Sequence, residues 1–122
     1  MTFVMADSCR ARLERLTQIL VSTFPGSTIY QHTDLLRVPH DVLTHKVDVL
    51  LLGAEIETTN TLDLLQKLRR QKPALPVFII SESNDLHEKT ATAGANGCFV
   101  LPDREQQLLE AIQLAMNKTN VS

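Results

Sequence analysis

Aromatic residues are scarce in this chain: no Trp, one Tyr and four Phe among 122 residues. No base-stacking platform for single-stranded nucleic acid is therefore visible. A net charge of −2 leaves no electrostatic footprint for a phosphate backbone either. Arg10, Arg12 and Arg15 cluster near the start, but Asp7 and Glu14 interleave with them, so the stretch reads as a solvated helix face. Cysteine is also sparse. Cys9 and Cys98 give no metal-ligand spacing and no disulfide framework, which predicts a reduced, cytoplasmic chain without a bound cofactor. The longest apolar runs, residues 49–52 among them, are far below the roughly 20 residues of a membrane span. The opening MTFVMADS lacks the basic and long apolar regions of a signal peptide, so the glycosylation patterns at Asn117 and Asn120 are read as accidental.

Short apolar runs alternate with helical patterns along the whole chain. Residues 2–5 read as a strand, followed by Leu13, Leu16, Ile19 and Leu20 at helical spacing. Pro25-Gly26 breaks the chain before a β-branched and aromatic strand at residues 27–30. Thr33-Asp34 is placed to cap a second helix reaching about His45, against which Pro39 counts. Residues 47–52 are apolar at nearly every position, as a central parallel strand covered on both faces requires. Leu62, Leu65 and Leu68 mark a third helix, and residues 77–80 a fourth strand. A weaker helix, about 85–93, ends at Gly94, a left-handed cap, before a short strand at 98–100. Asp103, with Gln106 three residues on, is placed to cap a final helix that buries Leu108, Leu109 and Ile112 and frays after Met116. This regular alternation predicts a single α/β domain over residues 1–116, a parallel sheet with helices on both faces, and a polar tail or the start of a linker over 117–122.

Three segments carry a resemblance. Ala93-Gly94-Ala95-Asn96-Gly97-Cys98-Phe99-Val100-Leu101-Pro102 keeps the frame of a motif that elsewhere reads Ala-Gly-Ala-x-Gly-aromatic-x-x-Lys-Pro. ALPVFIIS, residues 74–81, is similar to a fourth strand ending in a hydroxyl, and VDVLLLG precedes the helix LDLLQKLR at the matching interval. Together they resemble the receiver domains of bacterial two-component response regulators, over residues 2 to about 116. The resemblance implies a flavodoxin-like, doubly wound fold with strand order 2-1-3-4-5 and a pocket outside the carboxyl ends of the strands. In receivers an aspartate on strand 3 takes a phosphoryl group. Acidic residues after strand 1 help to hold Mg²⁺, and a strand-5 lysine and a strand-4 hydroxyl meet the phosphoryl oxygens.

The motif transfers onto this chain with its chemistry removed. The acceptor position falls on Gly53 and the lysine position on Leu101. Of the acidic pair, the first position falls on Ala6 and only Asp7 remains, which as a lone carboxylate reads as a helix N-cap. Ser81 keeps the hydroxyl, Glu82 follows where a small residue usually admits phosphate, and Cys98 takes the place of the switch aromatic beside Phe99. A lone buried lysine without carboxylate partners would be costly, so the losses belong together. No metal site and no catalytic residue are expected, and the histidines read as surface residues.

The resemblance therefore implies a signalling domain that is not phosphorylated by the usual aspartyl route. It would act through a protein partner (a histidine kinase, an effector domain or another regulator) or through self-association, with no nucleic-acid or membrane contact of its own. Its interaction face is expected to include Leu86, Cys98, Phe99, Pro102 and Leu109. The alternatives are the regulatory domain of a DNA-binding transcriptional regulator, or a phosphoacceptor at Glu55 or Ser81. A flavin or enzyme site on the same fold is weaker, because Ala6-Asp7-Ser8-Cys9-Arg10 contains no glycine to cradle a phosphate.

Overall fold

The central strand has no exposed residue: β3 (Val49–Gly53) is buried at every position. In the computed structural model, which describes residues 1–53, 58–82, 91–101 and 103–120, it lies in a five-stranded parallel sheet of order β2-β1-β3-β4-β5. The other strands are β1 (Thr2–Ala6), β2 (Thr28–His32), β4 (Val77–Ser81) and β5 (Gly97–Val100). The helices are α1 (Arg10–Thr23), α2 (Val38–Thr44), α3 (Thr58–Gln71) and α4 (Glu105–Asn120). Residues 91–93 are also helical, the described part of one more helix before β5. This is the flavodoxin-like arrangement. None of the described helices is long and apolar enough to cross a membrane.

Strand alternation sorts the apolar residues into two cores. Val4, Ala6, Leu50, Leu52, Val77, Ile79 and Cys98 face α2 and α3, where Val38, Val42, Leu65 and Leu68 meet them. Phe3, Met5, Val49, Leu51, Phe78 and Ile80 face α1 and α4, and pack on Leu13, Leu16, Leu20, Leu108 and Ile112. The fully apolar reading of residues 49–52 is thus explained by two covers rather than one. The register aligns Ala6 with Leu52, Gly53 with Ile80 and Ser81 with Val100, which brings the strand ends to one edge of the sheet.

Boundaries depart from the sequence reading where capping decides them. Asp34 does not cap α2; its Oδ1 accepts the Leu36 N–H at 3.0 Å in a local turn, and α2 starts only at Val38. Pro39 is tolerated because it sits in the first helical turn, where its missing N–H has no partner to lose. Helix α4 starts one residue after Arg104, whose carbonyl accepts from Leu108 N–H at 3.0 Å, so it begins later than a cap at Asp103 implies. It runs on to Asn120 instead of ending at Met116, since no glycine or proline stops it there.

The Ala93–Gly97 segment is held by one side chain. Arg69, near the end of α3, donates Nε and Nη2 to the Gly94 carbonyl at 3.0 and 2.8 Å, and Nη2 also to Asn96 Oδ1 at 2.8 Å. Its Nη1 donates to the carbonyls of Lys72, Pro73 and Leu75, the last at 2.7 Å. Asn96 Oδ1 also accepts the Val77 N–H at 2.9 Å, so the loop is tied to the start of β4. Gly94 has φ +112°, which favours glycine, and a Cβ there would lie 3.2 Å from the Arg69 Cγ. Desolvation lowers the pKa of Arg69 from its ordinary value, yet a guanidinium stays charged. Arg69→Ala is expected to cost about 2–3 kcal/mol in urea unfolding, because it strands several carbonyls at once. Arg69→Lys restores only part of it, as an ammonium cannot reproduce the planar fork.

Candidate functional site

Asp7 follows directly on β1 and is 1 % exposed. Its backbone N–H continues the sheet pattern by donating to the His32 carbonyl at 3.0 Å. Its carboxylate turns over the carboxyl edge of the sheet, and Oδ1 accepts the Cys9 N–H at 3.0 Å. Asp7 is therefore not the N-cap of α1. Cys9 holds that position without a side-chain cap, and Asp7 satisfies the backbone N–H of the cap residue itself.

The counter-charge comes from α1. Arg12 sits in the first turn of the helix, where a long side chain leans back towards the helix N-terminus. That direction carries its guanidinium onto Asp7, with Nε to Oδ2 at 2.5 Å and Nη2 to Oδ1 at 3.0 Å, a two-pronged ion pair. The Arg12 side chain is only 11 % exposed, and its Nη1 lies 3.8 Å from Oε1 of the largely exposed Glu82. Arg12 is thus not part of a solvated face, as the interleaved charges suggested. The usable signal was the pairing problem itself. Leu101 leaves the lone Asp7 without a cation from strand 5, and Arg12 is the arginine one helical turn inside α1.

Gly53 lies beneath this pair. A Cβ placed on it would stand 2.8 Å from Asp7 Cγ and 3.0 Å from each carboxylate oxygen. Real Cβ atoms do not come that close, so the carboxylate of β1 occupies the space that a side chain on β3 would need. The glycine is the complement of Asp7 and more than a missing nucleophile.

The remaining positions fall into place around it. Ala6 is buried in the core facing α2 and α3. Ser81 is 1 % exposed, and its carbonyl accepts the Leu101 N–H at 3.1 Å. Leu101 packs against the core on the α1 and α4 side. Cys98 is a core residue 7 % exposed, whereas Phe99 points to the opposite face and meets Phe78 with ring centroids 5.9 Å apart. Phe99 therefore does not stand in for an aromatic at position 98. Leu109 is half-buried against the same core as Phe99. Glu55, Leu86 and Pro102 lie outside the described residues.

This donor set does not fit a Mg²⁺ ion. Mg²⁺ takes oxygen ligands in a near-octahedral shell. Here Ala6 and Gly53 offer no side-chain oxygen, and both oxygens of Asp7 are engaged by Arg12, one of them also by Cys9 N–H. Among the described residues no group of three His, Cys, Asp or Glu side chains is placed to hold a metal.

A second polar cluster went unread in the sequence. Asp41, 7 % exposed on α2, bonds Nε2 of His32 at the end of β2 and lies 4.0 Å from Nε2 of His45. The His45 ring stacks on Tyr30 at 4.4 Å. His32 is thus a structural link between β2 and α2 rather than a plain surface residue, whereas His45 is exposed, as the sequence reading expects. The spacing Asp41–His45, four residues apart on a helix, is the part that the sequence displayed.

Comparison with known proteins agrees with this geometry. The family model described as "Response regulator receiver domain" matches residues 4–113. A "Glycerol metabolism activator" from Pseudomonas putida is 28 % identical over 121 residues, covering 93 % of this chain and 53 % of that protein. The chain thus spans about half the length of that relative. Among solved structures, a two-component response regulator from Clostridium difficile superposes with a TM-score of 0.85 at 14 % identity, covering 98 % of both chains. The signal receiver domain of a DNA-binding response regulator from Colwellia psychrerythraea 34H gives 0.82 at 19 % identity, covering 96 % of this chain and 98 % of that one. With its 2-1-3-4-5 sheet, its strand-end pocket and a family match over most of its length, the chain belongs to the receiver domains of two-component response regulators.

Proposed function

We propose that this domain relays signals by contact with other proteins and is not switched by phosphorylation of an aspartate. One observation carries the reading: the carboxylate of Asp7, clamped by Arg12, fills the space above Gly53. Phosphoryl transfer needs an in-line nucleophile, a bound metal and cations free to meet developing charge. The strand-3 nucleophile is replaced by glycine, the one carboxylate left over it is neutralised by Arg12, and the strand-5 cation is replaced by Leu101. Glu82 adds a negative charge at the mouth.

A receiver normally shifts between two arrangements because phosphate binds one of them better. In this reading Arg12 holds Asp7 to α1 and reaches towards Glu82 after β4, so the domain's resting arrangement needs no phosphoryl group. Its partner is another protein, a kinase, an effector region or a second regulator, or another copy of itself. The face formed by the segment before β5, β5 and α4 is the proposed contact surface. Leu114, 62 % exposed on α4, is the large apolar side chain left open there among the described residues. A second reading is favoured by the match to half of a protein named as an activator: this domain regulates an effector region that acts on transcription.

Incubation with acetyl phosphate and Mg²⁺, followed by intact mass, is expected to leave the mass unchanged. A gain of one phosphoryl group would overturn the proposal, whichever of Ser81, Glu55 or Asp7 received it. Removing the clamp should be costly, because Arg12→Ala leaves the buried Asp7 with its Cys9 bond and no cation. About 3 kcal/mol or more of stability is expected to disappear in denaturant unfolding. Asp7→Ala/Arg12→Ala together should lose less than the two single losses added. Gly53→Ala is expected to cost about 1–3 kcal/mol through overpacking. In the Asp7→Ala background that cost should largely vanish, which thermal or urea unfolding of the unsubstituted chain, the two single variants and the double variant measures.

A further inference from the structure

Beside the sealed pocket a cleft of about 420 Å³ opens at the same edge of the sheet, between α1 and the start of α4. Leu16 and Leu101 form its floor, with Ala11 and Cys9 on the α1 side. Both leucines belong to or pack on the α1–α4 core, so the floor is firm. Four charged groups stand around it, already paired. Arg12 is held by Asp7 and lies 3.8 Å from Glu82. Arg15 Nε donates to Glu105 Oε2 at 3.1 Å, across 90 positions of sequence.

We propose that this cleft binds a small, uncharged, largely apolar molecule, an aromatic or alicyclic compound with at most one neutral hydrogen-bonding group. Its size lies within the ~300–1,000 Å³ of small-molecule sites, which combine an apolar lining with a few polar groups. The charge pattern selects the occupant. Each cation on the rim has its anion, so an anionic ligand would bring an uncompensated charge over an apolar floor, at a desolvation cost, and a cationic one would have to compete with Arg12 for Glu82. Leu101 makes that floor: the family pattern places lysine there, whose ammonium would favour an anion. The substitution that removed the phosphoryl cation thus created an apolar surface beside the old pocket.

Occupancy has a defined physical effect. A ligand lying against Arg12 excludes water from its guanidinium and strengthens its attraction to Glu82, whose side chain is 73 % exposed in this structure. Glu82 leaves the end of β4, so the bound molecule would draw that strand end towards α1. This effect rests on the reading that phosphate is not the input; binding itself does not.

The test uses the intact chain and N-phenyl-1-naphthylamine, an uncharged fluorescent probe. Saturable, blue-shifted emission at one probe per chain is expected. Leu101→Lys should weaken it about tenfold or more by charging the floor. Ala11→Phe, which narrows the opening without adding charge, should weaken it similarly, whereas Leu43→Lys on the distant α2 should not. The anionic analogue 8-anilinonaphthalene-1-sulfonate should bind more weakly than the neutral probe. Absence of saturable binding, equal loss in Leu43→Lys, or tighter binding of the anion would each overturn the proposal. So would a dimer that Leu101→Lys dissociates while the probe fails to bind, since the cleft would then be a contact between copies. The mass measurement on the same preparation separates the two readings. A phosphoryl gain with probe binding intact removes only the phosphate-independent function, and no gain without probe binding removes only the ligand.

Discussion

The described ends of β1 and β3 are arranged around one ion pair, Asp7 with Arg12, lying over a glycine. A carboxylate 1 % exposed is stable as an anion only if its lost hydration is replaced. The Cys9 N–H and two guanidinium nitrogens replace it. The carboxylate in turn needs room, and Gly53 provides it by having no Cβ. Because the pair is satisfied within the domain, position 101 needs no cation and can join the hydrophobic packing. Each apparent loss in the motif is a condition for another.

This changes what the degenerate motif means physically. Removal of a nucleophile alone would leave an acidic hollow with two carboxylates or a stray ammonium, and either is unfavourable in a partly desolvated site. The chain instead carries a filled site in which the Asp7 carboxylate is paired with a cation from α1 rather than from β5. The protein belongs to the receiver family by fold and by pattern. Its input differs in the present reading because two of the groups that meet phosphate are replaced by Gly53 and Leu101, and Asp7 is held by Arg12.

The fold was largely legible in the sequence. Residues 49–52 announced a doubly covered central strand, and the alternation of apolar runs and helical stripes gave the layers. The site was legible as a set of absences, Gly53, Leu101 and Ala6, but not as a construction. Arg12 was hidden because its neighbours Arg10 and Arg15 are exposed, and one-dimensional charge patterning cannot tell a guanidinium facing solvent from one leaning back over the sheet. Cys98 and Phe99 were hard to place for a related reason. Adjacent strand residues face opposite cores, so proximity in sequence says little about shared surroundings. Helix ends were misjudged where a side chain bonded locally, as Asp34 does with Leu36 N–H, rather than capping.

Arg69 has a mechanical consequence. By bonding Gly94, Asn96 and Leu75 together, it welds the approach to β5 and the approach to β4 to helix α3 at the amino-terminal edge of the sheet. A rearrangement of the surface around β5 cannot begin there without breaking several bonds to a single cation. A rearrangement around β5 is therefore cheaper if it leaves this weld intact.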